Sequence, residues 1–107
     1  MIQIRIQTKR NEFVLEVEGH AGLGKKGEDI LCASVSGMVQ MLELGLLALA
    51  GLSEKNIEKK DGFLKLHCFF NQESDVLLKT FILSAKVLER QNPEKIKVFQ
   101  IEKTVKQ

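Results

Sequence analysis

The chain of 107 residues has room for one hydrophobic core, so residues 1–107 are predicted to form a single domain. Hydrophobic residues make up 44% and charged residues 28% of the chain, which is unlike disordered, collagen-like or membrane-embedded proteins. Sixteen basic and fourteen acidic residues leave a net charge of only +2, too little to indicate a nucleic-acid or membrane partner.

The N-terminal part predicts a β-hairpin followed by a glycine-rich loop. Apolar and polar residues alternate over residues 2–7 and again over residues 13–18, with a polar turn between the two segments. The segment 19–27 contains four glycines in nine residues and is predicted to be a loop of unusual shape. The N-terminus lacks the features of a signal peptide, so we expect a cytoplasmic protein.

The first predicted helix spans about residues 32–51 and is apolar or small at most positions. We expect it to be buried nearly all round. Its apolar surface exceeds what one sheet covers, and a leftover patch of this kind usually meets a partner, so we predict a homodimer. The longest unbroken apolar run, Leu44 to Leu52, is about half of the roughly 20 residues that cross a bilayer, so no membrane segment is predicted.

The second half of the chain predicts another hairpin, a helix and a last strand. The hairpin covers about residues 56–70 with Asp61-Gly62 as its turn. The helix begins after Ser74 as N-cap and ends near Gln91, and the strand covers residues 96–101. The order ββαββαβ predicts an α+β fold of two layers, in which two helices pack on one face of a mostly antiparallel or mixed sheet of about five strands.

A thiol and an imidazole lie at the two ends of the glycine-rich loop. His20 follows the second strand and Cys32 opens the first predicted helix, so the loop can bring both to one mouth. The amino end of a helix stabilises a thiolate, and its unpaired amides from about Ala33 onward can receive the oxyanion of a tetrahedral intermediate. His20 can accept the thiol proton and pass it to a leaving amine. The pattern is that of thiol acyl transfer.

Simpler explanations compete with this one. A cysteine near a helix start, such as Cys32, is more often a small buried hydrophobe. Asp29 is first of all a candidate N-cap, with orientation of the imidazole as its alternative role. Ser36 is a small residue that fits a crowded helical turn. The loop glycines then serve only as turn residues: Gly22, Gly24 and Gly27.

The second cysteine and the second histidine are neighbours in a predicted strand, so their side chains point to opposite faces. Cys68 is assigned to the core and His67 to solvent. No metal ligand spacing such as Cys-x-x-Cys occurs, and we predict neither a metal nor a cofactor. The loop does not match a phosphate-binding motif, and few aromatic residues accompany the basic pairs, so we expect no direct nucleic-acid binding.

Three segments of the chain resemble the motifs of the ribosomal-processing cysteine protease family Prp. They are Gly19-His20-Ala21, Gly27-x-Asp29 and Leu31-Cys32-Ala33-Ser34-Val35-Ser36. The interval between the motifs, the strand order and the length also fit, so the resemblance covers essentially the whole chain. It implies a catalytic dyad of His20 and Cys32, with supporting or orienting roles for Asp29 and Ser36.

The resemblance also implies a substrate: the N-terminal extension of large-subunit ribosomal protein number twenty-seven, which an endopeptidase of this family removes. We expect the loop with Gly22, Gly24 and Gly27 to gate the cleft and to order when peptide enters. Two alternatives stay open. One is a non-catalytic ribosome-assembly factor that binds peptide or RNA, and the other is a redox protein in which Cys68 resolves an oxidised Cys32.

Overall fold

The computed structural model describes residues 1–19 and 26–102, without the side chains of residues 26–29. The predicted order ββαββαβ is confirmed, with a short 3-10 turn between α1 and β3. In chain order the elements are β1 (Ile2–Thr8), β2 (Glu12–Glu18), α1 (Lys26–Leu49), the 3-10 turn (Glu54–Asn56), β3 (Ile57–Lys60), β4 (Phe63–Phe69), α2 (Gln72–Gln91) and β5 (Ile96–Glu102).

The five strands form one mixed sheet in the order β3-β4-β2-β1-β5. Three of the strand pairs are antiparallel: β3 with β4, β4 with β2, and β2 with β1. The pair of β1 with β5 is parallel. In β1, β2 and β4 the buried residues alternate with less buried ones, because every second side chain points to the side that carries the helices. The predicted two-layer α+β fold is therefore confirmed. The strand residues that are buried in the core are Ile2, Ile4, Ile6, Phe13, Leu15, Leu64, Leu66, Cys68 and Ile96.

The turn of the second hairpin is also as predicted. Asp61 and Gly62 connect β3 to β4, and Gly62 has a φ of +72°, a left-handed conformation that suits glycine.

Helix α1 differs from its prediction at its start and in its burial. It begins at Lys26, so Gly27 lies inside it although the glycine density predicted a loop there. The prediction of burial all round is wrong, because the helix rests on the sheet and on α2 and keeps a face toward solvent. Met41, Leu44 and Leu49 are each about two-thirds exposed on that face.

The segment Ile30–Leu49 of α1 is long and apolar enough to cross a membrane, by length and composition alone, with a mean hydropathy of 1.7. Unbroken apolar runs alone do not predict such a segment, because the longest one covers only Leu44 to Leu52. Core helices of globular proteins meet the same criterion. Since Leu42 and Leu46 belong to the same buried cluster as Ile4 and Ile6 of β1, we interpret α1 as a core helix.

Helix α2 begins earlier than predicted, and its N-cap is Asn71. The Asn71 side chain accepts a hydrogen bond from the backbone N–H of Ser74, and the Ser74 hydroxyl accepts one from the Asn71 N–H, both at 2.8 Å. Ser74 is therefore the third helical residue of a capping box, not the N-cap. The Asn71 amide also donates to the carbonyl of Ala50 at 2.8 Å, which joins the start of α2 to the end of α1.

Candidate active site

A cleft of about 420 Å³ opens between α1 and the β3–β4 hairpin. Its helical wall is a stripe of residues three or four positions apart, which places them on one side of the helix. Its opposite wall is residues 59–64, and its floor is formed by Ile2, Val17 and Gly19. The lining mixes apolar residues such as Val35 and Val39 with polar and charged ones such as Gln40 and Glu43. The helical stripe consists of Cys32, Val35, Ser36, Val39, Gln40 and Glu43.

Cys32 and Ser36 lie together on the helical wall of this cleft. Cys32 is half-buried and Ser36, one helical turn later, is exposed. The α-helical spacing of four residues puts a hydroxyl next to the thiol on the same face. A thiol at this place is accessible to a molecule that enters the cleft, as a nucleophile must be.

The early start of α1 corrects three expectations about its amino end. Cys32 lies in the second turn, so it does not open the helix, and the field of the helix terminus is strongest in the first turn. The amide of Ala33 donates within the helix to the carbonyl four residues earlier, so it is not available to an oxyanion in this conformation. Asp29 is the fourth residue of α1 and is not its N-cap, because a cap precedes the first helical residue.

Several predicted site residues fall on parts of the chain that are not described. His20, Gly22 and Gly24 lie outside the described residues. Gly27 and Asp29 belong to the first turn of α1, where the backbone alone is described. The roles predicted for these residues stay predictions.

Gly19 is a residue of the site to which the sequence analysis gave no role of its own. Its φ is +102°, and its N–H donates to the carbonyl of Gly62 at 2.9 Å. A Cβ at this position would overlap the carbonyl oxygen of Met1. Gly19 therefore anchors the end of β2 between the N-terminus and the hairpin turn, directly before His20 in the chain.

The sequence pattern did not predict the charged residues of the cleft, Glu43, Lys59 and Lys60. The Nζ atom of Lys59 lies 2.7 Å from a carboxylate oxygen of Glu43, and the Nζ atom of Lys60 lies 5.2 Å from the centre of the Phe63 ring. The available signal was Glu43 itself, a single acid within an apolar helical run.

Cys68 and His67 point to opposite faces of β4, as predicted. Cys68 is buried, and burial raises the pKa of its thiol. His67 lies on the solvent side of β4 and is half-buried, and its Nε2 atom lies 3.0 Å from a carboxylate oxygen of Glu12. Among the described side chains, those of residues 1–19 and 30–102, no group of three His, Cys, Asp or Glu gathers to hold a metal ion.

A family model described as cysteine protease Prp matches residues 1–97. Among solved structures, protein SMU.848 from Streptococcus mutans is 26% identical, with a TM-score of 0.79 and 96% of each chain covered. The ribosomal processing protease Prp from S. aureus, solved with a covalently linked product peptide, is 24% identical, with a TM-score of 0.75 over 94% of this chain and 99% of that one.

A second structure of the S. aureus protease, with a substrate peptide, is 23% identical, with a TM-score of 0.76 and the same coverage. These two likenesses show a common fold. No curated protein matches the chain.

Replacement of Gly19 by alanine is expected to destabilise the fold by about 3 kcal/mol or more, because the new Cβ meets the Met1 carbonyl and φ is positive. Gly51→Ala is the matched control, since Gly51 has a φ of +80° with open space around it. Gly51→Ala should lower the free energy of unfolding by about 1–2 kcal/mol, because only backbone strain is added. Urea unfolding measures both, and equal losses would contradict the contact with Met1.

The two thiols are expected to differ in alkylation. At pH 7 to 8 a maleimide should label Cys32, which lines the cleft, and leave Cys68 unlabelled, because burial excludes the reagent and a raised pKa lowers the thiolate fraction. Mass spectrometry of the Cys32→Ala and Cys68→Ala variants measures this. Rapid labelling of Cys68 in the folded protein would contradict the assignment to the core, and labelling in denaturant is the control.

Proposed function

The chain belongs to the cysteine protease Prp family, and on that premise we propose that it removes the N-terminal extension of large-subunit ribosomal protein number twenty-seven through Cys32 and His20. One observation carries the proposal. Cys32 lines a cleft whose floor includes Gly19, and His20 directly follows Gly19 in the chain. The S. aureus protein of the same fold, itself a ribosomal processing protease, holds a substrate peptide. The reaction would take place in the cytoplasm.

The dimensions of the cleft suit an extended peptide. Its helical wall runs for three turns from Cys32 to Glu43, about 16 Å at the rise of an α-helix. Since an extended chain advances about 3.3 Å per residue, this wall accompanies roughly five residues of peptide on one side of the thiol. The apolar part of the lining, formed by side chains such as Val35, Val39 and Phe63, would bury apolar side chains of the substrate.

The proposed reaction is a two-step hydrolysis. His20 takes the proton of the Cys32 thiol, and the sulfur attacks the carbonyl carbon of the peptide bond. The tetrahedral intermediate collapses when the imidazolium gives its proton to the leaving amine, and a thioester to the new C-terminus remains on Cys32. Water then gives a proton to His20 and attacks the thioester, which releases the acid and restores the thiol.

The supporting groups are proposals of the same kind. Ser36 presents a hydroxyl on the wall of Cys32 and is a candidate donor to the oxyanion. The amide of Ala33 takes that role only if the first turns of α1 unwind. Asp29 remains a candidate for orienting the imidazole, and the glycine-rich loop remains a candidate gate.

Neither alternative function gains support from the described residues. A disulfide needs Cα atoms within about 7 Å. Cys68 lies beside Ala50 at the end of α1, and Cys32 is about 27 Å away along the helix rise. An RNA-binding cleft is expected to be uniformly basic. This cleft mixes Lys59 and Lys60 with Glu43 and Asp61, which supports the expectation of no direct nucleic-acid binding.

We also propose that the protein is a homodimer that buries the exposed apolar face of α1. Met41→Glu should convert it to a monomer of 12.1 kDa, because Met41 is exposed at the groove between the two helices. Ile101→Lys, on the far side of the sheet, should leave the dimer intact. Sedimentation at micromolar concentration measures the mass. A parent protein that sediments only as a monomer contradicts the proposal.

The Cys32→Ala variant is expected to lose cleavage of a peptide that spans the processing site by at least about 10³-fold, because no other group in the proposed mechanism forms the acyl intermediate. Cys68→Ala should cleave at the rate of the parent. Single-turnover cleavage followed by mass spectrometry is the measurement. Full activity of Cys32→Ala would exclude the dyad.

A further inference from the structure

The end of the cleft distant from Cys32 holds a buried carboxylate. Glu43 is 8% exposed, and the Nζ atom of Lys59 lies 2.7 Å from one of its oxygens. A carboxylate taken out of water strongly requires a cation beside it. The Lys59 side chain supplies that cation while remaining 57% exposed itself.

The two partners of this ion pair differ in how firmly they are held. Glu43 projects from the middle of α1, next to Leu42 and three residues before Leu46, which are both buried in the core. Lys59 belongs to β3, a four-residue edge strand that pairs only with β4, and its ammonium is at the end of a flexible stem. The carboxylate is thus the fixed member, and the ammonium is the member that can move to solvent when another cation takes its place.

A second cation that enters the cleft can therefore replace the first. Substitution of one ammonium by another keeps the buried carboxylate neutralised, whereas an acidic or apolar group leaves Lys59 in place and gains nothing. The other charged cleft residues are turned to different contacts or lie in the turn. Lys60 lies against the Phe63 ring, and Asp61 is exposed in the hairpin turn.

We propose that Glu43 is a specificity-determining residue that binds a lysine or arginine side chain of the peptide substrate, with Lys59 as its resident counterion in the unbound protein. Glu43 lies about 16 Å from Cys32 along α1, so the recognised side chain is about five residues from the cleaved bond. This inference rests on the proposed protease function, to which it adds the chemical class of a substrate side chain. It assigns no role to Glu43 in the chemical step.

The test uses otherwise identical peptides in which lysine, norleucine or glutamate stands four, five or six residues from the cleaved bond, on either side. For the parent protein, kcat/KM for lysine at one of these positions should exceed that for norleucine about tenfold, and glutamate should be poorest. In Glu43→Gln the ratio of lysine to norleucine should fall to about one. The change should appear in KM and not in kcat, because a distant contact is made equally in the bound and transition states.

Two further variants serve as controls. Asp75→Asn removes an exposed ion pair with Lys79 on α2, outside the cleft, and should keep the tenfold ratio. Lys59→Met removes the competing ammonium and should lower KM for the lysine peptide below that of the parent.

Binding separates failure of this inference from failure of the proposed function. Anisotropy of labelled peptides with Cys32→Ala should show the same preference for lysine, and Cys32→Ala/Glu43→Gln should lack it. If the parent cleaves none of the peptides but binding keeps this pattern, the protease function fails and the recognition site stands. The inference is overturned if no peptide binds or if lysine is preferred at none of the tested positions. It is also overturned if the preference for lysine survives in Glu43→Gln, or if that variant weakens the binding of all peptides equally.

Discussion

The fold depends on a sheet that is apolar on one face only. Every second residue of β1, represented by Ile2, Ile4 and Ile6, is almost completely buried, while the residues between them carry polar or charged side chains. Such a sheet must be covered on one side and can remain wet on the other. On the wet side Arg5 bonds to Glu16 and Glu18 across the first hairpin, and these carboxylates raise the pKa of its guanidinium.

Two helices do not cover the apolar face of five strands completely. Helix α2 packs against α1 and its last turns lie near β5, where the Glu89 carboxylate accepts a hydrogen bond from the Val98 N–H at 2.8 Å. On the other side α1 leaves a space above the β3–β4 hairpin, and that space is the cleft. The site therefore follows from the way the helices cover the sheet. One side of α1 packs into the core, and the adjoining side, which carries Cys32, forms the wall of the cleft.

The cleft combines parts of the chain that are far apart in sequence. The N-terminus, the end of β2, the middle of α1 and the second hairpin all contribute side chains or backbone. Gly19 connects three of these parts, because its N–H donates to the Gly62 carbonyl and a Cβ on it would overlap the Met1 carbonyl oxygen. A protease needs its nucleophile and base on supports that do not move relative to each other. The hydrogen bond and the close backbone contact at Gly19 hold the end of β2 firmly at one side of the cleft.

Alternation and periodicity by themselves determined the strands, the Asp61-Gly62 turn, the element order and the assignment of Cys68 to the core, because each follows from local pattern and the alternation of faces in a strand. They also reduced the candidate chemistry to one thiol and one imidazole. Only the tertiary structure decided where α1 begins, that Asn71 rather than Ser74 caps α2, and that Lys59 meets Glu43. The pairing of Lys59 with Glu43 and the bond from Asn71 to Ala50 join residues far apart in the chain, which local pattern does not predict. The choice of Asn71 as cap and the early start of α1 lie within the few residues by which local signals misplace a helix end.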